Sequence, residues 1–410
     1  MTRRADLRTR LVTLAAFIVL AAPATPSDQA KKAQVVKPPL PDPAAINAKA
    51  AILIDEFSGK VLWAKNADAQ RFPASTTKIM TALLLIERCR MDDVVTAPAD
   101  IEKVGEASLH LKPGERLTVH NLLWGILLRS ANDGCVAAAV HVAGSVDAFC
   151  KLMNERAKQI GCTGTDFHNP NGLNDPAHVT TAHDLALIAR EAMRYPEFRE
   201  IVRNRRHTIE RSINSADRYL ISRNKFLEFD KTADGIKTGF TRPAGQCFVG
   251  SASRNGARFI TVVLGSEAWL DDTNALIGWG FKTHEIRRSV LAGQPILERA
   301  VVRGGLSIAV GPVRAIRYVA TKNSTASITT KATFAPNLQA PIVRGQQVGT
   351  LAVDDGTGWT DSIPLVALED VPLEAGRGSR GPYYVFGLGL VGLWAFTRRR
   401  RRRMIDYLRV

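Results

Sequence analysis

Pro73-Ala74-Ser75-Thr76-Thr77-Lys78 opens an apolar pattern that runs to Glu87, and the reading of the whole chain turns on it. A proline and small residues precede a run with helical spacing, which predicts a helix beginning near Ser75. Residues three apart share a helical face, so the Lys78 amine can reach the Ser75 hydroxyl. Serine is a weak nucleophile at neutral pH, but a neighbouring amine can act as its base once burial and other cations lower the lysine pKa. The helix N-terminus adds backbone N–H donors and positive potential where an oxyanion would form.

Upstream of this stretch, Ala51–Ile54 and Val61–Trp63 flank Ser58-Gly59 and read as a β-hairpin. Downstream, helical patterns occupy Val119–Leu128, Val136–Val142 and Val146–Ile160. Another spans Thr181–Met193, with Thr180 or Thr181 as its cap. Strand patterns return at Gln246–Ala252 and Phe259–Leu264, before a helix near Thr273–Gly280. Early strands, a helical middle and late strands predict a sheet with helices packed on it over residues 47–284. After His284 the texture changes. Short β-rich runs alternate with glycine turns (Ala300–Val302, Leu306–Val310, Ala315–Ala320, Ser327–Thr330, Ile342–Val343 and Val348–Val353), which predicts a small all-β domain over 285–372.

Two further short motifs follow the first. Ser130-Ala131-Asn132 falls in a turn between helical patterns; its serine could relay a proton, and its amide could hold Lys78 or a substrate amide. Lys237-Thr238-Gly239 leads into a strand, where a cation and a hydroxyl suit an anionic carboxylate and glycine lets a substrate backbone approach. Each motif alone has a plain structural explanation: a capped helix, a helix-linking turn, a polar strand end. Their order and local settings carry the signal. The five cysteines are odd in number and lack CxxC spacing, so they read as buried, inert thiols with one possible bridge. There is no HExxH, and neither a metal nor a cofactor is expected. His168, His178 and His183 read as structural. Arg242 and the cluster Arg199, Arg203, Arg205, Arg206 and Arg211 read as solvated surface, the cluster with a weaker option of facing an anionic wall polymer.

The chain has 410 residues and a formal charge of +16. Residues 1–10 hold +3 of this and residues 376–410 hold +8, leaving +5 for the 365 residues between. A basic excess confined to two ends beside apolar stretches indicates membrane topology and argues against nucleic-acid binding. Arg3, Arg4, Arg8 and Arg10 precede an apolar run, Leu11–Ala22, and then Ala22-Pro23-Ala24, so residues 1–24 read as a secretory signal, with an uncleaved anchor as the alternative. Residues 25–46 form a proline-rich linker. At the other end, the uncharged stretch 381–397 abuts the arginines Arg398–Arg403, so 381–403 read as an anchor halted with its tail in the cytoplasm, or as a processed sorting signal.

SxxK, SxN and KTG in this order occur in β-lactamases and penicillin-binding proteins, where the middle motif is usually Ser-Asp-Asn. Over residues 45–372 the chain resembles the D-alanyl-D-alanine carboxypeptidases among the low-molecular-mass penicillin-binding proteins. The likeness extends to Ala51–Lys65, Arg71–Leu84, Leu127–Asp133, Asn169–Gly172, Thr180–Leu187, Asp234–Gly245 and Pro341–Leu351. The resemblance implies an α+β fold: a β-lactamase-like catalytic domain, with an antiparallel sheet and a helical cluster, followed by the small β domain. It also implies Ser75 as the acylated nucleophile, Lys78 as its base, and Ser130 with Asn132 completing the proton network. Lys237, Thr238 and Gly239 would bind substrate, and the backbone N–H groups of Ser75 and Phe240 would form the oxyanion hole. The implied partners are peptidoglycan stem peptides, β-lactams and, through the C-terminal segment, the cytoplasmic membrane at its outer face; no cofactor is implied. One departure stands out. The arginine that the family often carries after its last long strand is absent from Gly265–Asp272, leaving the terminal carboxylate to Lys237, Thr238 and, as an option, Arg242. Two other functions compete. A class A β-lactamase would need a deacylating glutamate, for which Asn169–Asp184 offers no equivalent. A catalytically silent, membrane-tethered wall-binding protein would not need Ser75, Lys78, Ser130 and Lys237 intact.

Overall fold

The computed structural model describes residues 43, 46–296, 299–301, 307–325 and 327–373. The signal, most of the linker and the C-terminal segment expected above lie outside the described residues.

Ala50–Asp55 is a strand buried along its whole length, because both faces of its sheet are covered. Side chains alternate across a strand. Ala50, Ile52 and Ile54 therefore enter a core shared with the helical cluster, while Ala51 and Leu53 enter a second core against the helix Trp269–Thr283. That double burial explains why this strand reads as a continuous apolar run. The sheet is antiparallel throughout, in the order Val61–Lys65, Ala50–Asp55, Ala257–Ser266, Gly245–Arg254, Ala233–Thr241. The helical cluster holds Lys78–Arg88, Asn132–Ala143, Val146–Ile160 and Ala182–Ala192. Val146–Ile160 appears with the bounds its sequence predicts: Ser145 caps it by accepting from Ala148 N at 3.1 Å, and Gly161 ends it. Thr181 caps the next helix in the same way, accepting from Asp184 N at 2.9 Å.

Three expectations need correction. The helical pattern Val119–Leu128 is an α-helix only over Val119–Trp124 and becomes a π-helical turn over Gly125–Arg129. Lys237-Thr238-Gly239 does not merely lead into a strand; it lies inside one, Ala233–Thr241, at the edge of the sheet. Ile342–Val343 is no strand, and only an isolated bridge joins Ile342 to Val371.

A second antiparallel sheet follows in the order Arg299–Val301, Ser307–Pro312, Thr360–Ala367, Gln347–Asp354, Thr329–Phe334. A two-stranded ribbon, His284–Val290 with Ile316–Thr321, lies between the sheets, and its Val319 is buried in the core behind the first sheet. Specific contacts hold the two parts together. Lys60 pairs with buried Asp355, Trp359 Nε1 donates to Ser58 O at 3.2 Å, and the Arg317 guanidinium lies 4.7 Å from the Phe57 ring centroid.

Candidate active site

The helix expected from Ser75 begins as a 3₁₀ turn, Ala74–Thr77, and becomes α-helical at Lys78. A 3₁₀ turn eclipses residues i and i+3, so Lys78 stacks over Ser75 more directly than α winding allows. Lys78 Nζ lies 2.9 Å from Ser75 Oγ. A buried chain of donors holds the turn. His178 Nδ1 accepts from His168 N at 2.9 Å, which leaves the ring proton on Nε2, 2.9 Å from Thr77 Oγ1. The Thr77 hydroxyl passes the direction on by donating to Ala74 O at 2.9 Å. Burial pushes the His178 pKa down to about 4, so the ring stays neutral and its polarity is fixed. Gly172 seals the same carbonyl. Its φ is +83°, and a Cβ there would fall 1.8 Å from Ala74 O.

Lys78 is fully buried and makes two more hydrogen bonds, to Asn132 Oδ1 at 2.7 Å and to Asn171 O at 2.6 Å. Burial lowers its pKa to about 8, because among the described residues no carboxylate hydrogen-bonds the amine, and Glu106 and Asp133 offset the loss of water only in part. Asn132 is oriented from behind, with Nδ2 donating to Gly105 O at 3.0 Å. The loop carrying that carbonyl is pinned by buried Asp133, which accepts from Ser108 Oγ at 2.6 Å and from Leu109 N and Leu111 N at 3.0 and 2.9 Å.

Ser130 closes the π-helical turn in the left-handed conformation, with φ +65°. Such a backbone in a residue other than glycine is sustained only where its surroundings over-determine it. Its Oγ accepts from Lys237 Nζ at 3.0 Å. Burial first, and then the neighbouring Lys78 charge, drive the Lys237 pKa well down. The motif strand meets the Ser75 turn through Gly239, where a Cβ would lie 2.9 Å from Ser75 N. Phe240 follows, with its ring exposed. The three motifs thus converge on one spot: Lys78 joins Ser75 and Asn132 at 2.9 and 2.7 Å, Lys237 joins Ser130 at 3.0 Å, and Gly239 packs too close to the Ser75 backbone to leave room for a side chain, with Thr238 next to Lys237 on the strand.

Several participants escaped sequence reasoning. Asn171 contributes a backbone carbonyl, which no side-chain motif can signal, although Asn169–Gly172 stood out as a segment. Asp133 sits next to Asn132 but acts inward. Arg223, on an exposed loop, is near enough to Lys237 for its charge to help lower that amine's pKa. Arg211 departs from the solvated-surface reading. Its side chain is fully buried, paired with Glu115 at 2.8 Å and donating to Leu109 O at 2.6 Å, so it braces the same loop as Asp133. All five cysteines carry free thiols; four are buried and Cys89 is half-buried.

Comparison with known proteins adds independent findings. Residues 33–268 match the family described as D-alanyl-D-alanine carboxypeptidase, and residues 285–373 match the C-terminal domain of penicillin-binding protein 5. The chain is 31% identical over 338 residues to D-alanyl-D-alanine carboxypeptidase DacF of Bacillus subtilis, covering 80% of this chain and 86% of that protein. It is 31% identical over 389 residues to D-alanyl-D-alanine carboxypeptidase DacC of Escherichia coli, covering 90% and 94%. The crystal structure of penicillin-binding protein 5 from Haemophilus influenzae superposes with a TM-score of 0.68 at 29% identity, covering 81% of this chain and 99% of that one.

Proposed function

The chain belongs to the D-alanyl-D-alanine carboxypeptidase family of low-molecular-mass penicillin-binding proteins, and on that premise we propose that Ser75 is its acylated nucleophile and Lys78 the base. The protein is a serine-type D-alanyl-D-alanine carboxypeptidase that acts on peptidoglycan stem peptides and is acylated by β-lactams. One observation carries the assignment of roles. Asn132 Oδ1 and Asn171 O can only accept hydrogen bonds, so a neutral Lys78 directs its two hydrogens to them and its lone pair to the Ser75 hydroxyl.

In this reading Lys78 takes the Ser75 proton as Oγ attacks the penultimate carbonyl. The N–H groups of Ser75 and Phe240 stabilise the oxyanion. Ser130 delivers a proton to the departing D-alanine amine, and water then hydrolyses the acyl-enzyme. Lys237, whose charged form an incoming carboxylate favours against the burial that lowers its pKa, holds the terminal carboxylate with Thr238, and the Arg223 charge supplies the attraction that the missing family arginine would give. The open edge of Ala233–Thr241 suits an extended peptide added as a further strand. A β-lactamase is not favoured, since Asn171 sets a carbonyl and not a carboxylate against Lys78. A silent binding protein is not favoured either, because it would have no use for a buried amine with a lowered pKa.

We assign residues 47–284 to catalysis and 285–372 to holding that body off the membrane. The enzyme is exported by its N-terminal signal and works at the outer face of the cytoplasmic membrane, retained by the uncharged stretch 381–397 and the arginines after it. Fractionation after a carbonate wash tests retention; a mature mass lacking the tail would overturn it in favour of a processed signal. For the chemistry, labelling with a fluorescent penicillin and mass mapping should find a persistent adduct on Ser75. Ser75→Ala should abolish both the adduct and D-alanine release while the protein stays folded. Release by a folded Ser75→Ala variant would overturn the assignment, and an adduct shed within seconds would indicate a lactamase.

A further inference from the structure

The helices Lys78–Arg88 and Asn132–Ala143 run side by side in the same direction. Their N-terminal ends meet at the active site, where Lys78 Nζ bonds Asn132 Oδ1 at 2.7 Å. Their C-terminal ends also meet, away from the chemistry, and there three metal-binding side chains converge. Cys89 is the C-cap of the first helix, His141 lies in the last turn of the second, and Asp93 comes from the turn between Cys89 and the strand Val94–Thr96. The Cys89 thiol, a His141 ring nitrogen and an Asp93 carboxylate oxygen all lie within 4.8 Å of one another.

From this juxtaposition we propose that Cys89, Asp93 and His141 bind a thiophilic divalent cation of the Zn²⁺ class, clamping together the far ends of the two helices that build the active site. Thiolate, imidazole and carboxylate form a donor set that suits Zn²⁺, with water as the fourth ligand. Zn²⁺ bonds of about 2.0–2.3 Å in a tetrahedron separate the ligands by about 3.3–3.8 Å, so rotation of these side chains has to draw them in by no more than about 1.5 Å. Asp93 is half-buried and His141 exposed, which leaves them room to do so. The frame behind them is fixed. Cys89 N donates to Leu85 O at 3.1 Å, while Asp93 O and Met91 O accept from Val119 N and His120 N at 2.8 and 3.0 Å. Two helix C-termini, each with its negative dipole end, also face the same point and favour a cation. Binding replaces the thiol proton with the metal and releases that proton to solvent.

The test uses the full chain, Zn²⁺ and Co²⁺. Bound Co²⁺ should give a thiolate-to-metal absorption band that Zn²⁺ displaces and Cys89→Ser removes. Free Zn²⁺ at about ten times its Kd should slow alkylation of Cys89, read by mass mapping, about tenfold. His141→Ala and Asp93→Asn should each raise the Kd read from that protection at least about tenfold, leaving about twofold protection or less at the same Zn²⁺, with penicillin acylation of Ser75 unchanged. The four buried cysteines serve as internal controls, since burial pushes Cys135 and Cys162 up to about 12 and Cys150 and Cys247 up to about 11. Unprotected Cys89, a Co²⁺ band that survives Cys89→Ser, or protection undiminished in both His141→Ala and Asp93→Asn would overturn the site.

Discussion

The catalytic body and the small β domain are both built on five-stranded antiparallel sheets, yet they bury different chemistry. The first encloses Lys78, Asn132, Asp133, Lys237 and His178, whose hydrogen bonds are directed at other side chains or at specific backbone groups. Among the described residues of the second sheet, the buried set is apolar and includes Ala300, Ile308, Val310, Val348, Leu351, Val353, Ile363, Leu365 and Ala367, and the buried charge Asp355 is turned outward to pair with Lys60 of the catalytic body. A core of interlocking polar groups holds a reaction geometry. A core of alternating apolar residues holds only a shape. The first should therefore fail in rate, and the second in stability.

The largest separation should come from Lys78→Ala, which removes the proposed base and should slow penicillin acylation about 10²–10⁴-fold in stopped-flow measurements. An unchanged rate would put the base elsewhere. In the β domain, Leu365→Ala empties a fully buried position and should cost about 2–5 kcal/mol of that domain's stability while leaving acylation untouched. If acylation fell with it, the two parts would not be functionally separable. The pH profile sharpens the contrast. As the proposed base, Lys78 would act when deprotonated, and its pKa is lowered to about 8, so acylation should fall about tenfold per unit as pH drops below about 8 and level off above it. A profile flat across that value would remove the amine as the titrating base. The smallest effect belongs to Arg223→Ala, an exposed cation whose loss should raise KM for a D-alanyl-D-alanine peptide about two- to fivefold with kcat preserved. An equal loss in kcat would mean that the charge acts on the chemistry through Lys237.

What sequence pattern could reveal follows the same division. Helices with strong caps and a clean apolar stripe, such as Val146–Ile160, are locally determined and were legible to the residue. The strand Thr360–Ala367 escaped notice because Pro364 interrupts it, and the ribbon of Arg206–Thr208 with Tyr219–Ile221 because it is short and its first strand is polar and charged. At the candidate site, the side chains of all three motifs were legible because their types and spacing are local. The 3₁₀ winding at Ala74–Thr77 and the left-handed Ser130 were not, since both are imposed by neighbours: Gly172 and His178 on one side, the π-helical turn on the other.

The sequence by itself determined which reactive groups the protein carries and in what order, because the proposed hydroxyl nucleophile, amine base and carboxylate-binding cation must be particular residue types. Only the tertiary structure decided what state those groups are in. The two acceptors that aim Lys78, Asn132 Oδ1 and Asn171 O, come from 54 and 93 residues away. The burial that lowers its pKa is a property of the closed fold, since an amine gives up its proton readily only where water has been excluded and no carboxylate replaces it.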